Sequence, residues 1–277
     1  MKLIADSGST KTSWLLLAGE NTLQEFETKG MNPFFIAEDE IIDALEDNLR
    51  PDVIPNINEV HFFGAGCSNQ EKAEWLQEVI EGILPNASVF IKTDIEGAVL
   101  ACSNFGEKSV VSILGTGTSF RIFDGREIIK LYSSLGYIIG DEGSGTHISK
   151  ALLRKLYYNQ LSVFFLTDFN QYFETTREKI IENVYSKAFP NRYLAQFTKF
   201  CSRHIASPEI EKIVLDSFDA YFKNHLTNIP EIKELKLHFV GSVAFHFKPQ
   251  LEKVIAKHGL KLGTIIQKPI HALARKI

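Results

Sequence analysis

The sequence predicts an α/β protein built from two similarly folded lobes. The chain opens with an apolar strand, a turn rich in glycine and hydroxyl side chains, a second strand, a hairpin connection and a third strand. The same order of segments returns from Ser109 onward. Strands then alternate with segments of helical periodicity, which is typical of α/β folds. This repetition indicates two lobes that face one another across a cleft, at residues 1–106 and 107–267.

Apolar runs and turn residues place the elements of the first lobe. Strands are expected at 2–6, 14–18, 22–29, 59–63 and 88–92. Helices are expected at 36–49, 71–83 and 94–103, because apolar residues recur there at helical spacing. The basic segment 269–277 has the pattern of a last short helix, so we expect residues 268–277 to pack back onto this lobe.

The second lobe repeats the strand pattern and adds helices. Its strands are expected at 109–114, 119–123, 127–132, 236–240 and 261–266. The Asp124-Gly125 pair between two of these strands is typical of a hairpin. Helices are expected at 144–158, 175–188, 192–202, 208–225 and 244–257. The second lobe is therefore expected to carry helical additions.

Composition excludes several classes of protein. A length of 277 residues suits two modest domains, and the net charge of −4 argues against a nucleic-acid partner. The three cysteines, Cys67, Cys102 and Cys201, have no paired spacing and suit a reducing compartment. No apolar run reaches membrane-spanning length, and the first residues turn acidic too early for a signal peptide. We therefore expect a cytoplasmic protein without a structural metal or membrane contact.

The turn from Asp6 to Thr12 is the first candidate phosphate site. Gly8 allows the backbone to approach a ligand, and the neighbouring amides, hydroxyls and lysine could surround phosphate oxygens. Asp6 is expected to hold hydrated Mg²⁺, because this ion keeps several waters and takes few carboxylates. The same residues could also form an ordinary polar hairpin turn. The candidate ATP contacts are Gly8, Ser9, Thr10, Lys11 and Thr12.

A second glycine turn occupies the corresponding position of the second half. Gly115-Thr116-Gly117-Thr118 is weak evidence alone, but two such turns could bind one nucleotide from opposite sides of a cleft. A third site, Gly241-Ser242, lies between a strand and a helix and could take the adenosine end of ATP. It could equally be a plain strand-to-helix turn. The candidate ATP contacts here are Gly115, Thr116, Gly117 and Gly241.

Two acidic residues are candidates for sugar chemistry. Asp94 follows a predicted strand, at the end where open α/β folds bind ligands, and could accept the proton of an attacking hydroxyl. Thr93 and Glu96 also form a capping box, so this stretch could be only a helix start. Asp141, in the loop before the helix at 144–158, could present its carboxylate to substrate hydroxyls or support a helix cap.

Other nucleotide motifs are missing or incomplete. No Walker sequence is present, so a P-loop fold is not expected. Gly64-Ala65-Gly66 has Asn69 where a dinucleotide fingerprint needs glycine or alanine. Asn32-Pro33, taken by itself, indicates only a turn.

Taken together in this order, the motifs resemble the BadF/BadG/BcrA/BcrD ATPase family, and within it the N-acetylglucosamine kinases of the sugar kinase/Hsc70/actin superfamily. The resemblance covers nearly the whole chain. It implies two ribonuclease-H-like lobes of the actin/hexokinase type, with ATP and Mg²⁺ in the interlobe cleft. It also implies phosphorylation of an amino sugar at the C6 hydroxyl, with Asp94 as catalytic base, and commonly a homodimer. The implied sugar contacts are Asn32, Asp94, Thr116 and Asp141.

Departures from the family pattern leave the acceptor open. Ser133-Ser134-Leu135-Gly136 stands where the family typically has Gly-Gly-Trp-Gly, and His271 stands where glycine is common. N-acetylglucosamine is favoured, and glucosamine or N-acetylmuramate fits nearly as well. The family also contains iron–sulfur activators of 2-hydroxyacyl-CoA dehydratases, whose second turn is usually acidic. An ATP-binding activator or regulatory ATPase is therefore the alternative function.

Overall fold

The computed structural model describes residues 1–8, 10–132 and 134–277, and the side chains of all of these except Lys130, Leu131 and Tyr132. The chain forms two compact units. The first contains Met1–Phe105 and Lys268–Ile277, and the second contains Gly106–Gln267. Within the described ranges, no helix is both long and apolar enough to cross a membrane.

The first unit is built on a five-stranded sheet of order β3-β2-β1-β4-β5. Its strands are β1 Lys2–Ser7, β2 Lys11–Ala18, β3 Asn21–Lys29, β4 Glu59–Gly64 and β5 Ser88–Thr93. β1, β2 and β3 are antiparallel neighbours, whereas β4 runs parallel to β1 and β5 parallel to β4. The helices are α1 Glu38–Glu46, α2 Gln70–Ile83, α3 Asp94–Cys102 and the C-terminal helix Ile270–Ala274, with a 3₁₀ turn at Ile54–Asn56.

Side chains alternate between the two faces of this sheet, as strand geometry requires. On one face, residues such as Leu3, Trp14 and Leu16 pack against buried side chains of α1 and α2. On the other face, Ile4 and Leu15 pack against the C-terminal helix. Asp6 lies two residues beyond Ile4 along β1, so it faces the C-terminal helix side of the sheet.

The second unit contains a five-stranded sheet of order β10-β9-β6-β7-β8. Its strands are β6 Ser109–Leu114, β7 Thr118–Phe123, β8 Ile128–Tyr132, β9 Lys236–Val240 and β10 Lys261–Ile266. The order matches that of the first sheet, with β6 in the place of β1. The antiparallel and parallel pairings also correspond. The predicted repeat and the ribonuclease-H-like fold class are therefore confirmed.

Helices supply much of the second unit. They are α4 Gly136–Ile139, α5 Gly145–Tyr157, α6 Val163–Tyr172, α7 Arg177–Tyr185, α8 Pro190–Ala195, α9 Thr198–Arg203, α10 Pro208–Tyr221, α11 Ser242–His246 and α12 Lys248–Lys257, with a π-helix at Phe222–Leu226. Their buried aromatic side chains, including Phe169, Phe197 and Phe200, form one core with the strands. This core contains many of the 21 phenylalanines of the chain.

Several predicted helix boundaries are wrong. The helix expected at 244–257 is broken at Phe247, because Pro249 has no backbone N–H to continue the hydrogen-bond ladder. The helix expected at 192–202 is two short helices, and buried Phe197 occupies the break. Helix α6 was not predicted, although Ser162 caps it and Phe165 and Phe169 have helical spacing.

Candidate active site

The carboxyl ends of β1, β4 and β5 meet at one edge of the first sheet. The strand register aligns Ser7 with Gly64 and Gly64 with Thr93. Asp6 therefore lies on β1 beside this edge, and Asp94 begins α3 directly after β5. Burial and the negative charge of Asp94 raise the pKa of Asp6 from 3.8 to about 7, although Lys268 acts to lower it. The two carboxylates are thus within electrostatic reach of one another.

Asp94 is held in a fixed orientation at the start of α3. Its Oδ1 accepts a hydrogen bond of 2.8 Å from the Ile95 amide. The predicted capping box is also present: the Thr93 amide and hydroxyl donate to Glu96 at 2.9 and 2.6 Å, and the Glu96 amide donates to Thr93 Oγ1 at 3.3 Å. The capping interpretation and the catalytic interpretation of this stretch are therefore compatible.

The first glycine turn has an internal network of hydroxyl groups. The Gly8 amide donates to the Lys11 carbonyl at 2.9 Å, which closes the turn. The buried hydroxyls of Ser7 and Thr12 are 2.8 Å apart, and the Met31 amide donates to both at 3.0 and 3.2 Å. Thr12 also donates to the Lys29 carbonyl at 3.1 Å. The Thr12 hydroxyl was expected to face phosphate, and instead it supports the turn from within.

Strand alternation explains the position of Thr12. Thr12 pairs with Ser7, whereas Asp6 pairs with Ser13, and neighbouring positions on a strand point to opposite faces. The Thr12 side chain therefore points away from the face that carries Asp6. Of the other predicted contacts in this turn, Thr10 and Lys11 are exposed, and Ser9 lies outside the described residues.

Asn32 is fitted against a glycine whose role the sequence did not reveal. Its Oδ1 accepts a hydrogen bond from the Phe34 amide at 3.0 Å. A Cβ atom on Gly66 would lie 2.4 Å from the same oxygen, and Gly66 has a φ of +88°. Gly66 follows β4, which ends at the edge near Asp6 and Asp94. The structure therefore brings Asn32 to this edge. In the sequence, Asn32-Pro33 indicated only a turn, and nothing linked Asn32 to Gly66.

In the second unit, the second glycine turn is joined to the start of α5. The Gly145 amide donates to the Gly115 carbonyl at 2.8 Å, and the Thr146 amide donates to the Thr116 carbonyl at 3.2 Å. Gly241 follows β9, the parallel neighbour of β6, and lies against the end of β6. The predicted residues Gly115, Thr116, Gly117 and Gly241 are thus brought to the same edge of the second sheet.

Gly241→Ala should destabilise the protein by at least about 3 kcal/mol. Gly241 has a φ of 114° and a ψ of 165°, a region open only to glycine, and an added Cβ would lie 2.6 Å from the Leu114 carbonyl oxygen. Gly259→Ala is a matched control, because Gly259 has a φ of +65° with no atom within 4 Å of an added Cβ. It should cost only about 1 kcal/mol. Urea denaturation measures the free energy of unfolding of both variants. Equal losses of stability in the two would contradict the close contact at Gly241.

Asp141 is buried and held by a serine. It has a left-handed φ of 58°, and its Oδ1 accepts hydrogen bonds from the Ser134 hydroxyl and, at 3.3 Å, from the Thr118 amide. The Asp141 amide in turn donates to Ser134 Oγ at 2.9 Å. A Cβ on Gly117 would lie 2.9 Å from Asp141 Oδ2, so Gly117 leaves room for this carboxylate. The sequence showed Ser134 only as a departure from the family, and Ser133 lies outside the described residues.

Glu142 anchors the same loop. It accepts hydrogen bonds from His225 Nε2 at 2.8 Å and Asn224 Nδ2 at 2.9 Å, and its carbonyl accepts one from the Thr118 hydroxyl at 2.7 Å. Burial alone would raise the pKa of Glu142, but the hydrogen bonds from His225 and Asn224 help to lower it below its usual value. Asp141 is therefore fixed by Ser134, which precedes it in the chain, and by the anchored Glu142, which follows it.

A pocket of about 190 Å³ adjoins Gly241. Helix α11 lines one side of it and α9 lines the other. The lining residues are Thr198, Lys199, Ser202, Ser242, Val243, His246 and Phe247. Its lining combines apolar and polar side chains.

The cysteines do not have the environment of cluster ligands. Cys67, Cys102 and Cys201 are all buried, and burial raises the pKa of each thiol to about 12. Thiolate ligation of iron requires the deprotonated form. In the part of the chain that the structure describes, no group of three or more His, Cys, Asp or Glu side chains could hold a metal ion. The burial of all three thiols argues against the iron–sulfur activator interpretation.

No protein-family model and no curated protein matches the sequence. Among solved structures, a protein from Porphyromonas gingivalis, named a putative N-acetylglucosamine kinase, matches with a TM-score of 0.93 and 39% identity, over 100% of this chain and 98% of that one. A Chromobacterium violaceum protein of the same name matches with a TM-score of 0.73 and 16% identity, over 99% and 97%. A ROK family glucokinase from Streptomyces griseus, in complex with glucose and AMPPNP, matches with 0.61 and 12%, over 99% and 98%.

The second and third matches show a shared fold alone, because their identities are low. The first match shows more, since 39% of the residues are identical over the entire chain. Its TM-score of 0.93 shows that the two proteins share the fold with two repeated sheets. The chain therefore belongs to the N-acetylglucosamine kinase-like family of sugar kinases.

Proposed function

We propose that this sugar kinase transfers the γ-phosphoryl group of ATP to the C6 hydroxyl of an amino sugar, with N-acetylglucosamine as the favoured acceptor. The observation that carries the proposal is the meeting of Asp6 and Asp94 at one sheet edge, beside the first glycine turn. The choice of an amino sugar is supported by the name of the Porphyromonas gingivalis protein, with which this chain shares 39% identity.

Asp6 fits the requirements of a Mg²⁺ site. Its carboxylate is buried and lies close to the negative charge of Asp94, so a bound dication would relieve an unfavourable charge. Mg²⁺ also favours sites with one or two carboxylates completed by waters and phosphate oxygens. When bound with ATP, it would neutralise phosphate charge. Asp6 would hold it, directly or through water.

Asp94 is proposed as the catalytic base. As the sugar O6 forms a bond with the γ-phosphorus, the bond to the β,γ-bridging oxygen breaks, ADP leaves, and the hydroxyl proton passes to the Asp94 carboxylate. The Ile95 amide donates to this carboxylate and the capping box fixes the backbone on either side of Asp94, so little reorganisation is needed. Asn32 in the first unit, and Thr116 and Asp141 in the second, are proposed as further sugar contacts.

ATP is proposed to bind through the backbone of the glycine turns. Gly8, Ser9, Thr10 and Lys11 supply the contacts in the first unit, and Gly115, Thr116 and Gly117 supply those in the second. The pocket beside Gly241 is proposed for the adenine base, because it adjoins the glycine predicted to take the adenosine end of ATP. Thr12 then acts indirectly, by holding the first turn in shape.

A sugar panel tests the proposal. ADP release by the purified protein should be followed with Mg²⁺ and ATP, in the presence of N-acetylglucosamine, glucosamine, N-acetylmuramate or glucose. N-acetylglucosamine should stimulate release at least tenfold over the rate without sugar, and more than the other sugars. If ATP binds but no sugar increases ADP release, the kinase proposal fails, and a regulatory ATPase would be the better account.

Ser134→Ala should raise the KM for the amino sugar about tenfold and leave the KM for ATP unchanged. The substitution removes the hydroxyl that donates to Asp141, and hydrogen bonds to charged groups contribute about 1.5–3 kcal/mol. Ser134→Thr should largely restore the sugar KM. Ser134 Oγ also accepts a hydrogen bond from the Gly136 amide at 3.1 Å. Ser162→Ala is a matched control, because Ser162 Oγ likewise accepts from the Phe164 amide, at 3.3 Å, and lies outside the proposed site. A rise in the KM for ATP equal to that for sugar would contradict a role at Asp141.

A further inference from the structure

We propose that Lys268 is a phosphate-binding residue of the kinase site, paired with Lys11 through Glu27. This inference rests on the proposed function, since it concerns the nucleotide of the same reaction. It assigns a ligand contact to the C-terminal segment, which neither the glycine turns nor the sugar contacts include. The ligand chemistry is the polyphosphate of a nucleoside triphosphate.

The three residues Asp6, Ser13 and Glu27 form a row across the sheet. Ser13 on β2 lies directly opposite Asp6 on β1 and opposite Glu27 on β3. Directly opposed residues of antiparallel strands share a face, so Glu27 lies on the same face as Asp6. The row therefore connects the proposed Mg²⁺ ligand with a carboxylate two strands away.

Glu27 binds two lysines at the end of this row. Its Oε2 accepts a hydrogen bond from Lys11 Nζ at 2.8 Å, and its Oε1 accepts one from Lys268 Nζ. Lys11 is the first residue of β2 after the glycine turn. Lys268 thus shares a carboxylate with the first residue after the phosphate turn, on the sheet face that carries the proposed metal ligand.

Packing holds Lys268 on this face of the sheet. It begins the short C-terminal segment of the first unit, and two residues later Ile270 is fully buried. Ile270 and Leu273 form one apolar cluster with Ile4, Leu15 and Leu17. The backbone that carries Lys268 is therefore fixed against β1 and β2, and only its side chain has to move to reach a ligand.

The charges suit an anion better than a structural clasp. One carboxylate between two ammonium groups leaves a net positive charge, and all three side chains are partly exposed, at 66% for Lys11, 36% for Glu27 and 43% for Lys268. Exposed ion pairs contribute only about 0–1 kcal/mol to stability, so the buried Ile270 and Leu273 do most of the anchoring. The excess positive charge remains available to bind phosphate oxygens. Glu27 holds both lysines in position for this contact.

Calorimetric titration of the whole protein with a nonhydrolysable ATP analogue and Mg²⁺ tests this inference. Lys268→Met should weaken binding about tenfold and reduce the dependence of Kd on salt concentration, whereas Lys268→Arg should stay within threefold of wild type. The KM for the amino sugar should not change. Lys276→Met is the matched control. Lys276 lies in the same segment and anchors it by donating to the Ser103 carbonyl at 2.6 Å. Its replacement therefore tests only the packing of the C-terminal segment on the first unit.

The possible results separate this inference from the proposed function. Unchanged affinity in Lys268→Met, or an equal loss in Lys276→Met, would overturn the role of Lys268 and leave the kinase proposal standing. If the wild type binds no nucleotide, both fail together. Thermal unfolding of each variant shows whether a loss of affinity reflects a loss of folded protein.

Discussion

Asp94→Asn should lower kcat for sugar phosphorylation about 10³-fold while the Kd for ATP stays within threefold of wild type. A positioned general base typically contributes a factor of about 10² to 10⁴. Asparagine has nearly the same shape and can still accept the hydrogen bond from the Ile95 amide, but it cannot take up the proton of the sugar hydroxyl. Stability should change by less than about 1 kcal/mol, the scale of an acid's interaction with a helix dipole. Steady-state kinetics and nucleotide titration measure these quantities.

Asp39→Asn is a close structural control for this substitution. Asp39 also lies in the first turn of a helix, α1, and its Oδ1 accepts the amide of the next residue, Glu40, at 2.9 Å. Its replacement reproduces the change in helix-end charge without touching the sheet edge. A kcat near wild type in Asp39→Asn and a large loss in Asp94→Asn would assign the effect to chemistry. A loss below about tenfold in Asp94→Asn would contradict the assignment of Asp94 as the base.

Asp6→Asn should abolish phosphoryl transfer and, unusually for an inactivating substitution, stabilise the metal-free protein. Burial and the charge of Asp94 raise the pKa of Asp6 to about 7, so at pH 8 the folded protein holds a carboxylate in an unfavourable environment. Asparagine removes that charge. The expected gain is on the order of 3 kcal/mol in the free energy of unfolding at pH 8. Such a gain on loss of function is typical of active-site residues that serve function at a cost in stability.

The pH dependence gives the sign of the Asp6 effect. Between about pH 4 and pH 7 the folded protein keeps the proton on Asp6 while the unfolded chain releases it, so this group makes wild-type stability fall as pH rises. The advantage of Asp6→Asn should therefore be small at pH 4.5 and complete at pH 8. Urea denaturation in EDTA at both pH values measures it. A variant that is less stable than wild type at pH 8 would contradict the account of Asp6.

Short-range patterns were enough to predict most of the fold. The strands at Ser109–Leu114, Lys236–Val240 and Lys261–Ile266 have the predicted bounds, because apolar runs between turn residues mark buried strands clearly. Helix breaks were harder to predict. The break at Phe197 coincides with an aromatic side chain buried in the core, and such burial is decided by tertiary packing, whereas the break at Phe247 could have been predicted from Pro249. Local periodicity alone suggests continuous helices there.

The part of the site that could be predicted from the sequence is the set of glycine turns and the acidic residues next to strands. Glycine turns and acids after strands can be recognised in a sequence, and the structure places Asp6, Asp94 and Gly241 at sheet edges. The partners that hold them come from distant parts of the chain. Gly66 against Asn32, Ser134 on Asp141, and His225 on Glu142 are contacts that only the folded chain defines. Likewise, Thr12 carried a plausible hydroxyl, but strand alternation turned it to the other face.

The central claim is most directly tested by identifying the product. The protein should be incubated with ATP, Mg²⁺ and N-acetylglucosamine, and the sugar product analysed by phosphorus and proton NMR. The account predicts one ADP per phosphorylated sugar, with the phosphate coupled to the C6 protons, and no product from the 6-deoxy sugar. Phosphate on another carbon, or ADP release without a phosphorylated sugar, would contradict it.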